Sequence, residues 1–183
     1  HSTSSYSLGK CVDYNIGLYS GKLEQETGQA VTWHGCGSFR LAYEEDEMDW
    51  LRHTLSVGNS LGFNIELVGP EKIRELHPFY NLDGVIGALY TPDDGHVDPT
   101  NVTMAMAAGA RQLGAKIIRR CRATNITQDV KTGEWVVETE QGTIRCEHVV
   151  NAGGTYARQM GEWSGLQLPM TSMTHHYFVT ENV

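Results

Sequence analysis

The architecture of this chain is clearest in the segment Glu147-His148-Val149-Val150-Asn151-Ala152-Gly153-Gly154-Thr155-Tyr156-Ala157-Arg158. Its apolar start predicts a buried strand, its paired glycines predict a turn, and its end predicts a helix. A strand, turn and helix in this order bring backbone N–H groups and a helix N-terminus to one point, where α/β proteins contact phosphate-bearing cofactors. Small residues after Asn151 leave the main chain open to a planar ligand. Close packing of a helix on a sheet explains the glycines equally well, and the spacing alone leaves both explanations open.

The composition of the chain limits the size of its core and the kinds of partner it can bind. The chain has 183 residues and is 40% hydrophobic, enough for one sizeable core or for one core with a smaller second lobe. Its net charge of −8 argues against nucleic acid and anionic membrane surfaces as partners, because both attract cationic faces. The longest run of apolar and small residues, Met104 to Ala110, is far shorter than the roughly 20 residues that span a bilayer. We therefore expect neither a nucleic-acid nor a membrane partner.

The cysteines indicate the cellular compartment. The chain has four, without a Cys-x-x-Cys pair and without the density of a secreted disulfide scaffold: Cys11, Cys36, Cys121 and Cys146. The first residues, His1 to Ser5, lack the basic and apolar regions of a signal peptide. We expect a reducing compartment, which is the cytoplasm, or the mitochondrial matrix if the source is a eukaryote.

Periodicity and turn residues predict the order of the elements. Helices are expected from Val12 through Leu23 to a stop at Gly28, over Glu45 to Leu61, from Pro70 to Leu76, and after an Asp98 cap with Pro99 at the first helical position. Strands are expected over Val31–Ala42, Phe63–Leu67, Val85–Tyr90, Lys116–Arg119, Ala123–Gln128, Glu134–Thr139, Thr143–Cys146 and Leu168–Thr180. This order predicts a mixed α/β (α+β) fold of two interleaved lobes, one α/β and one mainly antiparallel.

Polar aromatic residues in the last predicted strand are candidates for chemistry. Strand alternation places His175 and Tyr177 on one face and His176 on the other. A phenol and an imidazole together could bind a carboxylate and relay a proton near neutral pH. A strand that merely carries polar aromatic residues is the alternative. His96 is a candidate for the edge of a pocket, and no cluster has the spacing of a metal site, so we predict no metal.

Five motifs in one order carry a resemblance over nearly the whole chain. They are Leu23-Glu24-Gln25-Glu26-Thr27-Gly28-Gln29, Gly37-Ser38-Phe39-Arg40-Leu41-Ala42, Asp94-Gly95-His96-Val97-Asp98-Pro99, Val149-Val150-Asn151-Ala152-Gly153-Gly154 and His175-His176-Tyr177-Phe178-Val179-Thr180. The order resembles that of the sarcosine and dimethylglycine dehydrogenases, which belong to the D-amino-acid-oxidase-like flavin enzymes. The resemblance implies FAD as cofactor and a small N-methyl amino acid as substrate, oxidised by hydride transfer from the N-methyl carbon to the flavin.

The resemblance also implies roles for particular residues. Ala152, Gly153 and Gly154 would lie against the flavin nucleotide, and Ala123 would offer backbone contacts to the adenine. Catalytic roles fall to Tyr177, which would face the substrate, and to His175, which would assist it. Tetrahydrofolate and an electron-transfer flavoprotein are the further partners that the family implies.

The resemblance has departures and an alternative. The family's paired alanines, glycine and tryptophan stand here as Ala152-Gly153-Gly154-Thr155-Tyr156. A Gly-x-Gly-x-x-Gly turn is absent and is expected before residue 1, and the folate-binding domain is expected after the last residue. The chain is thus expected to be an inactive piece of a D-amino-acid-oxidase-like domain, with residues 30–95 and 165–183 in the substrate lobe and residues 99–164 in a partial FAD lobe. The alternative is a regulatory module related to the pyruvate dehydrogenase phosphatase regulatory subunit.

Overall fold

Helices and antiparallel strands alternate along the chain in the computed structural model, which describes residues 5–177 and residue 181. The chain divides into two compact units, His1–Ile117 and Ile118–Val183. The prediction of a mixed helix-and-sheet fold is confirmed. The assignment of residue ranges to a substrate lobe and an FAD lobe stays a prediction.

From residue 5 onward, where its description begins, the first unit contains five α-helices and a three-stranded sheet. The helices are α1 (Tyr6–Gly17), α2 (Leu23–Thr27), α3 (Glu45–Leu61), α4 (Pro70–Leu76) and α5 (Pro99–Gln112), and a π-helical segment, Leu18–Lys22, joins α1 to α2. The strands are β1 (Ser38–Ala42), β2 (Glu66–Val68) and β3 (Gly87–Thr91). They pair antiparallel in the order β1-β3-β2, so β3 is the central strand.

Local signals set the ends of these helices as predicted. Gly28, with a φ of 72°, ends α2 in the left-handed conformation that glycine adopts without steric cost. At the start of α3 the Glu47 carboxylate accepts the backbone N–H of Glu44 at 3.3 Å. The Asp98 carboxylate accepts the backbone N–H of Asn101 at 2.9 Å, and this cap opens α5.

Both faces of β3 are covered by apolar side chains. On one face Leu89 packs with Leu51 of α3, and on the other Ala88 packs with Ile73 of α4. Alternation along the strand sends neighbouring side chains to opposite faces, which explains why β3 is buried at almost every position. The two clusters of buried residues are Ala42, Leu51, Leu61, Phe63, Ile65 and Leu89 on one face, and Ile73, Leu82, Val85 and Ala88 on the other.

The second unit is a three-stranded meander followed by a short helix. Its strands are β4 (Ala123–Gln128), β5 (Trp135–Thr139) and β6 (Gly142–Cys146), paired antiparallel in the order β4-β5-β6. A 3-10 turn, Gly154–Tyr156, leads into α6 (Ala157–Trp163), which packs against β4. The turn residues Lys131-Thr132-Gly133 and Gln141-Gly142 predict hairpin connections between these strands, and both are confirmed.

An ion pair joins the turn between β4 and β5 to β6. The Asp129 carboxylate accepts the backbone N–H of Lys131 at 3.0 Å and the guanidinium of Arg145 at 3.1 Å. The backbone N–H of Lys131 and then the Arg145 guanidinium hold the pKa of Asp129 below its usual value of 3.8, because both stabilise the ionised carboxylate.

Several predicted strands are wrong. The segment expected to form a buried strand before the glycine turn forms no strand, and Val150 in it is 85% exposed. Lys116–Arg119 and the described part of Leu168–Thr180 also form no strand, and residues 178–180 lie outside the described part. The strand expected over Val31–Ala42 shrinks to β1. The physical reason is shared: a strand needs neighbouring backbone to accept and donate its hydrogen bonds, and none of the described strands pairs with these segments.

None of the helices in residues 5–177 has both the length and the apolar character that a membrane span requires.

Candidate functional site

Asn151 organises the turn that follows the extended segment. Its side-chain amide donates to the backbone carbonyl of Ala157 at 2.9 Å, and its Oδ1 accepts the backbone N–H of Gly153 at 3.2 Å. The side chain therefore ties the turn to the first residue of α6, a role that asparagine often has in turns. This explains why a poor strand-forming residue stands directly before the glycines.

The two glycines of the turn have different functions. A Cβ atom on Gly153 would lie 2.5 Å from the Met160 sulfur and 3.3 Å from the backbone nitrogen of Ala157, so a glycine here lets α6 pack closely. A Cβ atom on Gly154 would meet nothing within 4 Å, and its φ of 55° lies in the left-handed region. Helix packing thus accounts for Gly153. At Gly154 the main chain is exposed to solvent, and a cofactor requires such exposure to approach it.

A cleft of about 350 Å³ lies beside this turn. It brings Ala123, at the start of β4, together with Gly153, although the two are far apart in sequence. Ala152 and Gly154 are exposed next to it without lining it. The cleft is lined by Arg122, Ala123, Gly153, Tyr156, Gln159, Met160 and Trp163.

Five of the lining residues were missed at the sequence level: Arg122, Tyr156, Gln159, Met160 and Trp163. Arg122 borders the cleft together with the aromatic residues Tyr156 and Trp163. Helical spacing could have revealed the aromatic residues, because Tyr156, Met160 and Trp163 recur on one side of α6. This lining combines two aromatic rings, small residues and a cation. It therefore suits a planar, anionic ligand such as a nucleotide.

The structure does not bring the two predicted catalytic residues into this cleft. His175 and Tyr177 lie on the unpaired segment that ends the described part, both are exposed, and Tyr177 is 89% exposed. The premise that strand alternation places them on one face is wrong, because no strand forms there. One contact does connect this segment to the turn: the hydroxyls of Thr155 and Ser172 are 2.6 Å apart.

The predicted pocket-edge residue His96 lies in the first unit, where its ring stacks on that of His34. Within residues 5–177 and 181, no three His, Cys, Asp or Glu side chains are arranged as metal ligands.

Comparison with known proteins decides the family. A family model described as FAD dependent oxidoreductase matches residues 2–183. The chain belongs to this FAD-dependent oxidoreductase family. Dimethylglycine dehydrogenase of Rattus norvegicus is 39% identical over 169 residues, which is 92% of this chain and 20% of that protein. Sarcosine dehydrogenase of Homo sapiens is 35% identical over 170 residues, 91% of this chain and 18% of that protein.

The family also contains a protein whose name describes regulation. The pyruvate dehydrogenase phosphatase regulatory subunit of Mus musculus is 34% identical over 174 residues, which is 93% of this chain and 20% of that protein. The chain thus spans about a fifth of the length of the curated relatives it matches. Among solved structures, L-proline dehydrogenase from P. horikoshii aligns with a TM-score of 0.75 and 27% identity, covering 84% of this chain and 40% of that one.

Proposed function

We propose that this chain forms part of the cofactor and substrate lobes of an FAD-dependent enzyme that oxidises an N-methyl amino acid of the sarcosine or dimethylglycine type. The observation that carries the proposal is the cleft beside the glycine turn, which Ala123 and Gly153 line together with the aromatic residues Tyr156 and Trp163. Membership of the FAD-dependent family and the similarity to two N-methyl amino acid dehydrogenases support it.

The cleft and the turn would hold the nucleotide end of FAD. The backbone of Ala123 would contact the adenine, and Ala152, Gly153 and Gly154 would face the flavin nucleotide. When bound, FAD supplies a ring that accepts a hydride. The residues fit this group because the main chain at Gly154 is uncovered and because the small residues Ala123 and Gly153 line the cleft.

Substrate binding would fall to the segment that carries His175 and Tyr177. Hydride leaves a carbon next to nitrogen only when the amine lone pair is free, so the substrate amine must be deprotonated. His175 would hold that proton, and the Tyr177 hydroxyl would donate to the substrate carboxylate. Both side chains are exposed and therefore accessible to a ligand.

The wider setting of this activity follows from the same similarity. We propose electron-transfer flavoprotein as the acceptor, tetrahydrofolate as the acceptor of the one-carbon product in the full-length protein, and no activity for the 183-residue chain alone. The rat dehydrogenase and the mouse regulatory subunit are both mitochondrial by name, which supports a matrix location if this chain comes from a eukaryote.

The amine substrate is tested by the visible spectrum of the flavin-loaded, full-length protein. Anaerobic addition of sarcosine or dimethylglycine should bleach the flavin absorbance. Tyr177→Phe should slow this bleaching while leaving the bound flavin in place, because only the donor to the substrate is lost. Reduction kinetics equal to those of the unmodified protein would remove Tyr177 from the site.

The cofactor position is tested at the glycine turn. Gly153→Val would both fill the turn and displace Met160, so flavin loss in that variant has two explanations. Gly154→Asn separates them, because asparagine tolerates a φ of 55° and its side chain would enter open space. We expect less bound flavin with the fold retained. Gly165→Asn is the matched control, since Gly165 has a φ of 80° and equally open surroundings outside the cleft. Equal flavin content in the two variants would refute the placement.

A regulatory module is the second candidate, and the similarity to the regulatory subunit over 93% of this chain favours it. The same spectrum distinguishes the two functions. Flavin that is bound, yet bleached by neither amine, would support the regulatory function.

A further inference from the structure

Two loops of the first unit are joined by their backbones, although they lie about 60 residues apart in sequence. The N–H of His34 donates to the carbonyl of His96 at 2.9 Å, and the N–H of His96 donates to the carbonyl of His34 at 3.0 Å. The N–H of Gly37 donates to the carbonyl of Asp94 at 2.8 Å. Gly95 allows this approach, because a Cβ atom there would overlap the His34 carbonyl oxygen. The relative position of the loops is therefore set by the main chain.

This junction places a thiol beside an imidazole. The Cys36 sulfur lies 3.6 Å from Nδ1 of His96, within hydrogen-bond reach for sulfur. The His96 ring stacks on the His34 ring with centroids 4.9 Å apart and planes inclined by 22°. All three side chains are exposed. We refer to Cys36, His96 and His34 as the thiol cluster.

We propose that Cys36 is a base-assisted nucleophile and the position at which this chain reacts with small-molecule disulfides, with His96 as the base. The proposal is independent of the flavin function. In the reaction, the Cys36 proton passes to Nδ1 of His96 and the sulfur attacks one sulfur of the disulfide. A new S–S bond forms, the original S–S bond breaks, and the departing thiolate takes the proton. Cys36 is thereby oxidised to a mixed disulfide, and half of the reagent is reduced to a thiol.

The geometry of the cluster meets the requirements of an activated thiol. The thiolate is the reactive form of cysteine, and a base within hydrogen-bond reach generates it during attack. Stacking on His34 holds the His96 ring in orientation while its Nδ1 edge faces the sulfur. The Cys36 thiol also lies 3.5 Å from the carbonyl oxygen of Gly37, which can accept its hydrogen bond but cannot take its proton.

The other cysteines of the chain serve as internal controls for the reactivity of Cys36. Cys11, on α1, is also exposed, and no imidazole contacts it among the described residues. Cys121 and Cys146 are half-buried in the second unit. If exposure alone governed reactivity, Cys11 and Cys36 would react at similar rates. Base assistance predicts that Cys36 reacts faster.

The test uses the intact 183-residue chain and oxidised glutathione at pH 7, with mass spectrometry following the mixed disulfide at each cysteine. We expect Cys36 to react about tenfold faster than Cys11 or more, since a positioned base accelerates a proton-transfer step by about 10²-fold or more. His96→Gln should lower the rate at Cys36 about tenfold, because the amide cannot act as the base. The rate at Cys11 should not change.

Two results would overturn the proposal. The first is equal rates at Cys36 and Cys11 in the unmodified chain, a comparison that needs no variant and cannot fail through misfolding. The second is an unchanged Cys36 rate in His96→Gln. A circular dichroism spectrum equal to that of the unmodified chain, together with the constant rate at Cys11, shows that the variant retains its fold.

Discussion

Gly58 determines how closely α3 packs on the segment that connects it to β2, and a larger residue at this position allows the packing to be measured. A Cβ atom at this position would overlap Cδ1 of Ile65, lie 3.2 Å from its Cγ1, and lie 3.7 Å from Cδ2 of Phe63. Ile65 and Phe63 are each only 8% exposed and belong to the same buried cluster. Gly58→Ala therefore places a methyl group where a core side chain already stands.

The expected size of the effect of Gly58→Ala follows from two opposing contributions. Overpacking a core costs about 1–3 kcal/mol, and the overlap with Cδ1 puts this site at the upper end. Replacing glycine by alanine inside a helix stabilises the helix by about 1 kcal/mol, which offsets part of this cost. We expect Gly58→Ala to lower the free energy of unfolding by about 1–2 kcal/mol. Ile65→Val, which removes Cδ1, should cost about 1 kcal/mol alone.

Combining the two substitutions tests the packing directly. Valine lacks the atom that the new methyl group would overlap, so the double variant should be about 2 kcal/mol more stable than the sum of the single effects. Urea unfolding followed by circular dichroism measures all four proteins, with equal m-values as the check on two-state behaviour. Additive effects within about 0.5 kcal/mol would show that Gly58 and Ile65 are not in contact, and the packing argument would be refuted.

Three further predictions concern caps, charge and loop closure. Asp98→Ala should lower the free energy of unfolding by about 1 kcal/mol, and Asp98→Asn by much less, because asparagine caps helices as well as aspartate does; urea unfolding checks the order. The lowered pKa of Asp129 means that its stabilising effect is present above pH 3.8 and is lost as the pH falls through the folded-state pKa. In Arg145→Gln, an NMR titration should show the pKa of Asp129 rising only part of the way to its usual value, since backbone N–H groups also hold it down. A pKa that does not rise would exclude the ion pair. Gly95→Ala should speed hydrogen exchange at the His34 amide, since the carbonyl of His34 cannot move without breaking the loop junction; unchanged exchange would contradict that geometry.

The cleft shows why part of the candidate site could not be predicted. Gly153 and Gly154 are identical residues in one motif, and the sequence offers nothing to distinguish them. The two glycines differ in function only because α6 places Met160 against Gly153 and not against Gly154. Arg122 likewise became a cleft residue only when β4 and α6 came together.

The unformed strands have a related explanation. The apolar segment before Asn151 and the segment around His175 have the composition of strands and yet form none among the described residues. Strand formation depends on hydrogen bonds to another stretch of backbone, and composition carries no information about whether such a partner is adjacent.

The amino-acid sequence by itself determined the features that depend on neighbouring residues. These are the Asp98 cap with Pro99, the left-handed stop at Gly28, the hairpin turns and the mixed character of the fold, all governed by the torsion preferences and hydrogen bonds of a few consecutive residues. Tertiary structure alone decided which strands found partners, which glycine stayed bare, and that Cys36 meets His96 across about 60 residues. Those outcomes depend on contacts between distant segments, which no local preference specifies.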